Sequence, residues 1–186
     1  TQYVQTIYIK TVDVDGNVQF YHSDMMTTTA IDPGDNPIEV TLDDGSRYIL
    51  YPAANGDGGT GFLAGYAGTN SVLPAINTLE TSSTTGGFKI IGVAEEAFYS
   101  NTSLKEVYLP DTYKTIGARA FYNCIALESV SMIGVETIEA NAFEMCTKLE
   151  TVRMQNAKTI GERAFLSCES LYEVYADSIK TIGSSA

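Results

Sequence analysis

The chain has 186 residues, is 44% hydrophobic, and carries 23 acidic against 11 basic residues, a formal net charge of −12. That apolar content supports a packed core and argues against wholesale disorder. The acidity argues against a nucleic-acid or anionic-lipid partner, since both need clustered Lys and Arg, and no apolar run approaches the roughly 18–20 residues that span a bilayer.

The N-terminal stretch reads as a β-hairpin. Tyr3 to Val12 is rich in β-branched and aromatic residues, Asp15-Gly16 offers a positive-φ turn, and Val18 to Tyr21 forms the return strand. Asp13, Asp15, Asn17 and Asp24 stand at offsets 1, 3, 5 and 12, as in a calcium loop. Val18 replaces the glycine of that loop and the flanks are strands, so a turn is the better reading. His22 is the only histidine. No Ser/His/Asp, Cys/His, metal-ligand or paired-carboxylate set of recognisable spacing can be built around it. No enzyme activity, cofactor or metal is therefore expected.

Asp32-Pro33-Gly34-Asp35-Asn36-Pro37 is strong turn chemistry. A second hairpin follows, with Ile38 to Leu42, a turn at Asp43-Asp44-Gly45-Ser46, and Arg47 to Tyr51. Residues 1–58 thus form a β-hairpin segment or cap with a thin core. It is expected to lean on the rest of the chain or on another chain. Asn55-Gly56-Asp57-Gly58-Gly59-Thr60-Gly61 superficially looks like a phosphate-cradling loop. It lacks a Gly-Lys-Ser/Thr ending and a helix behind it, so a flexible turn is expected.

The C-terminal part is repetitive. TIGARAFYNCIALESV runs from Thr115 to Val130, TIEANAFEMCTKLETV from Thr137 to Val152 and TIGERAFLSCESLYEV from Thr159 to Val174. Phe121, Phe143 and Phe165 recur at steps of 22, as do Cys124, Cys146 and Cys168 and then Leu127, Leu149 and Leu171. A fixed period of this size means a solenoid. A weaker first coil starts near Gly61, with Ser71-Val72-Leu73-Pro74 parallel to Val107-Tyr108-Leu109-Pro110 and an insertion between Thr81 and Gly87. Coils centred on Phe98, Phe121, Phe143 and Phe165 follow.

Within one coil, Ala120, Phe121, Cys124 and Leu127 have offsets of 0, 1, 4 and 7, which suit one face of a short helix. One or two turns cannot hold themselves together, so burial against the next coil must stabilise them. Val107 and Leu109 alternate inward from a short strand, as do Val130 and Met132, then Val152 and Met154. Ile116, Ile138, Ile160 and Ile182 form a second inward column. Gly117, Gly161 and Gly183 turn the chain, and Glu139 breaks their column. The outward residues are Glu106, Ser129, Thr151 and Glu173 in one column and Tyr108, Ser131, Arg153 and Tyr175 in the next. Glu106, Tyr108, Arg153, Glu173 and Tyr175 are the candidate binding residues, because Tyr and Arg are favoured at binding hot spots. The alternative is a solvated face with ordinary cross-strand pairs.

The three cysteines occupy one repeat position, so their Cβ vectors run parallel rather than facing. Free, buried thiols acting as small hydrophobes are expected, and a three-thiolate metal site would lack a fourth ligand. In the Phe98 coil Asn101 replaces the cysteine. Asn101-Thr102-Ser103 is formally a glycosylation sequon, but a hydrogen-bonding loop residue is the better reading.

The phrase Thr-Ile-Gly-x-x-Ala-Phe-x-x-Cys-x-x-Leu-x-x-Val-x-Leu-Pro, with its lead-in SVLPAIN…GGFKIIGVAEEAF, resembles the BspA-type leucine-rich repeat of bacterial surface proteins across residues 61–186. The resemblance implies a right-handed leucine-rich-repeat solenoid of short parallel strands, here with short helices and preceded by the β-hairpin segment. It implies no catalytic residues. It also implies a secreted or surface-anchored protein of host-associated anaerobic bacteria, often involved in adhesion. The domains are then 1–58, the hairpin segment or cap, and 59–186, the solenoid. The end Thr181-Ile182-Gly183-Ser184-Ser185-Ala186 stops where the phrase asks for Phe, so a cut inside a repeat is expected. The expected function is a non-enzymatic extracellular or cell-surface adhesion module that binds a host or bacterial protein or glycan, without a cofactor. The alternative is a structural assembly subunit of a fibre, surface layer or virion, self-associating through edge strands and an open coil.

Overall fold

The computed structural model describes residues 3–4, 7–12, 18–23, 27–28, 37–53, 58–73, 75, 78–80 and 87–186. Before the repeats the strands are β1 (Tyr3–Val4), β2 (Ile7–Val12), β3 (Val18–Ser23), β4 (Thr27–Thr28), β5 (Ile38–Thr41), β6 (Ser46–Pro52), β7 (Gly59–Tyr66), β8 (Thr78–Glu80) and β9 (Phe88–Val93). The repeats add β10 (Glu106–Tyr108), β11 (Thr115–Ile116), β12 (Ser129–Ser131), β13 (Thr137–Ile138), β14 (Thr151–Arg153), β15 (Thr159–Ile160), β16 (Glu173–Tyr175) and β17 (Thr181–Ile182).

Both expected hairpins form. β2 pairs antiparallel with β3, Val12 opposite Val18. The Asp15-Gly16 turn, the calcium-like set Asp13, Asp15, Asn17 and Asp24, and Asp32 to Asn36 lie outside the described residues. β5 pairs with β6 around Gly45, whose φ of 89° only glycine adopts freely. β6 then pairs antiparallel with β7, and β7 parallel with β9, so this sheet runs on into the solenoid. Gly59, Thr60 and Gly61 belong to β7 rather than to a flexible turn. Glycine is required where the strands crowd, since a Cβ on Gly59 would lie 2.1 Å from the Tyr51 carbonyl oxygen.

Each repeat contributes one strand to each of two parallel sheets. The first is β10-β12-β14-β16, and the second continues β9-β11-β13-β15-β17. The degenerate coil enters the first sheet two residues out of its expected register: Val72 bridges to Glu106, not to Tyr108. Strand side chains alternate with period two, so a shift of two keeps Leu73 facing inward, beneath Val107. Leu73 is buried accordingly.

The expected short helices do not form; among the described residues there is no helix. Backbone donors alternate instead. The Ala120 N–H donates to the Gly117 carbonyl and the Tyr122 N–H to that of Arg119, both at 3.1 Å within the coil. The Arg119, Phe121 and Asn123 N–H groups donate to Ala140, Ala142 and Glu144 carbonyls of the next coil, at 3.0, 2.7 and 2.8 Å. An α-helix needs all these donors inside its own turn. Here every second one ties the stack together. Arg119 and Asn123 take left-handed φ values of 55° and 58°, matched by Glu96 and Ser100, Asn141 and Met145, and Arg163 and Ser167. Two left-handed residues per coil cannot belong to a right-handed helix.

The inward columns pack as one core running from the β5–β7 meander into the repeats. Phe98, Phe121, Phe143 and Phe165 stack ring on ring at 4.8, 5.0 and 5.2 Å. Cys124, Cys146 and Cys168 are free thiols. Their Sγ atoms donate to the carbonyls of Phe98, Phe121 and Phe143 in the preceding coils, at 3.1, 3.1 and 3.2 Å. Asn101, in the cysteine position, accepts the Ser103 and Leu104 N–H groups at 2.9 Å through Oδ1. Glu139, in the glycine column, accepts the Ala118 N–H of the preceding coil at 3.1 Å. Buried Tyr48 of β6 meets buried Tyr113, and this pair fastens the meander to the first regular coil.

Candidate interaction surface

The first parallel sheet turns one face to the core and the other outward, because its residues alternate. Val107, Val130 and Val152 face in and are buried. Their neighbours face out in register: Glu106 beside Ser129, Thr151 and Glu173, and Tyr108 beside Ser131, Arg153 and Tyr175. All five candidate residues therefore lie on one surface, in the two columns read from the sequence.

Pairing along this face is local. The Tyr108 hydroxyl donates to Glu106 Oε2 at 2.7 Å. That bond, then burial and the nearby negative charge, raises the Tyr108 phenol above its usual range. The Arg153 guanidinium carbon sits 4.5 Å from the centre of the Tyr175 ring, a cation–π contact. Tyr108 and Tyr175 remain 46% and 37% exposed, so both present ring surface to solvent. Between these two ends lie the short side chains of Ser129, Ser131 and Thr151, and Arg153 on β14. The face is thus a shallow hydroxyl-floored strip with a Glu–Tyr pair at each end and one guanidinium near the far end.

The adjoining corner column is Lys105, Glu128, Glu150 and Tyr172. Lys105 pairs with Glu128 at 3.2 Å. Glu150 and Glu173 have no ion-pair partner among the described residues. The strip is therefore acidic on balance, and its one cation rests on an aromatic ring.

Two outward features were not singled out from the sequence. On the turn side, the exposed Tyr99 ring stacks on Tyr122 at 5.0 Å, and the Tyr122 hydroxyl donates to Met145 Sδ at 3.3 Å. Tyr99 and Tyr122 stand one coil of 23 residues apart, which was the available signal. On the edge of the second sheet Lys158 pairs with Glu136 across coils, and Lys114 Nζ donates to the Asp111 and Gly134 carbonyls at 2.9 and 3.2 Å. Among the described residues, no group of three or more His, Cys, Asp or Glu is placed to hold a metal ion.

Residues 77–186 match the BspA type leucine rich repeat region, in six copies. Among solved structures the chain is similar to a leucine-rich repeat protein of T. pallidum, at 30% identity and a TM-score of 0.63, covering 78% of this chain and 64% of that one. It shares a fold with a leucine rich cell surface protein from Faecalibacterium prausnitzii A2-165, at 20% identity and a TM-score of 0.51, covering 80% and 51%. It also shares a fold with a leucine-rich repeat protein from Bacteroides capillosus ATCC 29799, at 19% identity and a TM-score of 0.53, covering 76% and 99%. The chain spans 64% and 51% of the first two proteins' lengths, less than two thirds of either. No curated protein sequence matches it.

Proposed function

Because the chain belongs to the BspA-type leucine-rich repeat family, a protein-interaction scaffold, we propose that it is a non-enzymatic adhesion module that docks a protein on the outer face of β10-β12-β14-β16. Repeat solenoids bind through extended faces held on a rigid stack. One observation carries the choice of face. Val repeats at every inward register position of these strands, while the outward register positions vary from Glu and Tyr through Ser to Arg. Tyr and Arg at the ends of the strip are the side chains that most often dominate binding energy. In the same reading residues 1–58 cap the solenoid and the protein acts outside the cell. Its fold neighbour from F. prausnitzii, a cell surface protein, supports that placement.

The test is binding of the full chain to a panel of immobilised extracellular proteins, with Ser131→Trp set against Lys158→Gln on the other sheet. The expected result is at least about a tenfold loss for Ser131→Trp, equivalent to one displaced hot-spot contact, and wild-type binding for Lys158→Gln. Equal binding by all three proteins would overturn the choice of face. Antibody labelling of intact producing cells tests the placement, and labelling only after lysis would contradict it.

A further inference from the structure

We infer that the partner meets this face with an extended basic segment bearing Lys or Arg at two positions four residues apart. The inference rests on the docking face proposed above and adds its chemistry. β10 and β16 carry the same triplet, Glu-Val-Tyr, at residues 106–108 and 173–175. Each puts a carboxylate and a phenol ring side by side on the outer face. A carboxylate beside an aromatic ring is a receptor for a guanidinium or an ammonium, through a charge-assisted hydrogen bond and a cation–π contact. Arg153 already lies over the Tyr175 ring, so at β16 the incoming cation meets the Glu173 carboxylate, while at β10 it meets Glu106 beside the exposed Tyr108 ring.

Spacing fixes the pattern. β10 and β16 are three strand steps apart, through β12 and β14. At about 4.8 Å per step the two Glu–Tyr units stand roughly 14 Å apart along the solenoid axis. An extended peptide advances about 3.4 Å per residue, so four residues cover the same distance. Between the units its backbone passes over Ser129, Ser131 and Thr151, which are short and offer hydroxyls. Arg153 disfavours a cation on the rung next to Glu173, so the residue facing it is neutral or acidic.

Charge favours this partner. Glu106 spends one oxygen on the Tyr108 hydroxyl and keeps further acceptor sites. Glu150 and Glu173 are without ion partners among the described residues, and Lys105 is taken by Glu128. The whole chain, at −12, attracts a basic segment at long range.

The experiment titrates the full chain with labelled nine-residue peptides in a Ser/Gly background, read by fluorescence anisotropy. One carries Lys at positions 3 and 7, one Lys at 3 and 4, and one Glu at 3 and 7. The expected result is that the 3,7-Lys peptide binds about tenfold tighter than the 3,4-Lys peptide, one charge-assisted contact being worth roughly that factor. The Glu peptide should not bind. The preference should vanish in Glu106→Gln/Glu173→Gln and weaken as salt is raised. Equal binding of both Lys peptides, binding of the Glu peptide, or a preference that survives the double substitution would overturn the inference. Ser131→Trp separates this failure from that of the docking face. If it abolishes protein binding while the Lys spacing makes no difference, only the basic-segment inference falls. If the 3,7-Lys peptide binds Ser131→Trp as well as wild type, both fall.

Discussion

The Phe121 ring lies 5.0 Å from that of Phe143 and within 3° of parallel. Free aromatic pairs prefer offset or edge-to-face arrangements. Here the geometry is imposed by coils stacked about 4.8 Å apart in strict register, so the ring stack reports the fold. A single coil would expose its Phe, Cys and Leu, and only stacking buries them.

Phe143 has a phenylalanine on either side and is fully buried. Phe143→Ala should cost roughly 3–5 kcal/mol in urea unfolding, the usual range for a deleted core aromatic. Phe165 is only partly buried, so Phe165→Ala should cost less. A loss below about 1 kcal/mol for Phe143→Ala would remove the ladder as the source of stability.

The thiol of Cys146 is buried and lies against those of buried Cys124 and partly buried Cys168, and these neighbours, together with burial, push its ionisation far above the usual thiol range. Only the thiolate is a nucleophile. Alkylation at pH 8 should therefore leave Cys146 unmodified in the native protein and label it fully after denaturation. Stoichiometric native labelling, read by mass, would contradict that burial.

The coil from Glu106 to Glu128 is one residue longer than the next two, and the surplus presses Asp111 against Gly134. A Cβ on Gly134 would lie 2.2 Å from the Asp111 carbonyl oxygen and 2.5 Å from its Cα. Backbone atoms cannot step aside cheaply, so Gly134→Ala should destabilise by about 1–3 kcal/mol. No change in the denaturation midpoint would show that the loop yields freely.

Much of this architecture was legible because each column is sampled several times. The inward Phe, Cys, Leu and Val positions and the outward Glu106 and Tyr108 columns all fall where their spacing puts them. The short helix misled because offsets of 0, 1, 4 and 7 suit a helical face and a turn ladder equally. What separates them is the hand of two backbone positions, filled by Glu96, Arg119, Asn141 and Arg163 in one column and Ser100, Asn123, Met145 and Ser167 in the other. Those side chains share no chemistry that marks a left-handed residue. The Tyr48–Tyr113 contact was equally hidden, because it joins the meander to one coil only and nothing repeats it.

Burial first, and then the neighbouring Tyr48, raise the Tyr113 phenol well above its usual range. A folded-state pKa above the unfolded value of about 10 means that Tyr113 adds stability below about pH 10 and loses it as pH rises further. Above that point the folding equilibrium constant should fall by up to roughly tenfold per pH unit on its account. Tyr113→Phe should flatten this alkaline slope, followed by denaturant unfolding between pH 8 and 11. An unchanged slope would mean that Tyr113 ionises freely in the fold.

Repeated residues face inward and hold the fold, while the variable residues beside them face outward. Val130 and Ser131 are neighbours on β12 and point to opposite sides. The direct measurement compares Val130→Lys with Ser131→Lys by equilibrium urea unfolding. Ser131→Lys should lie within about 0.5 kcal/mol of wild type, as surface changes do. Val130→Lys should lose several kcal/mol or fail to fold, because it buries an unpaired charge. Similar losses in the two variants would contradict the separation of core and outer face.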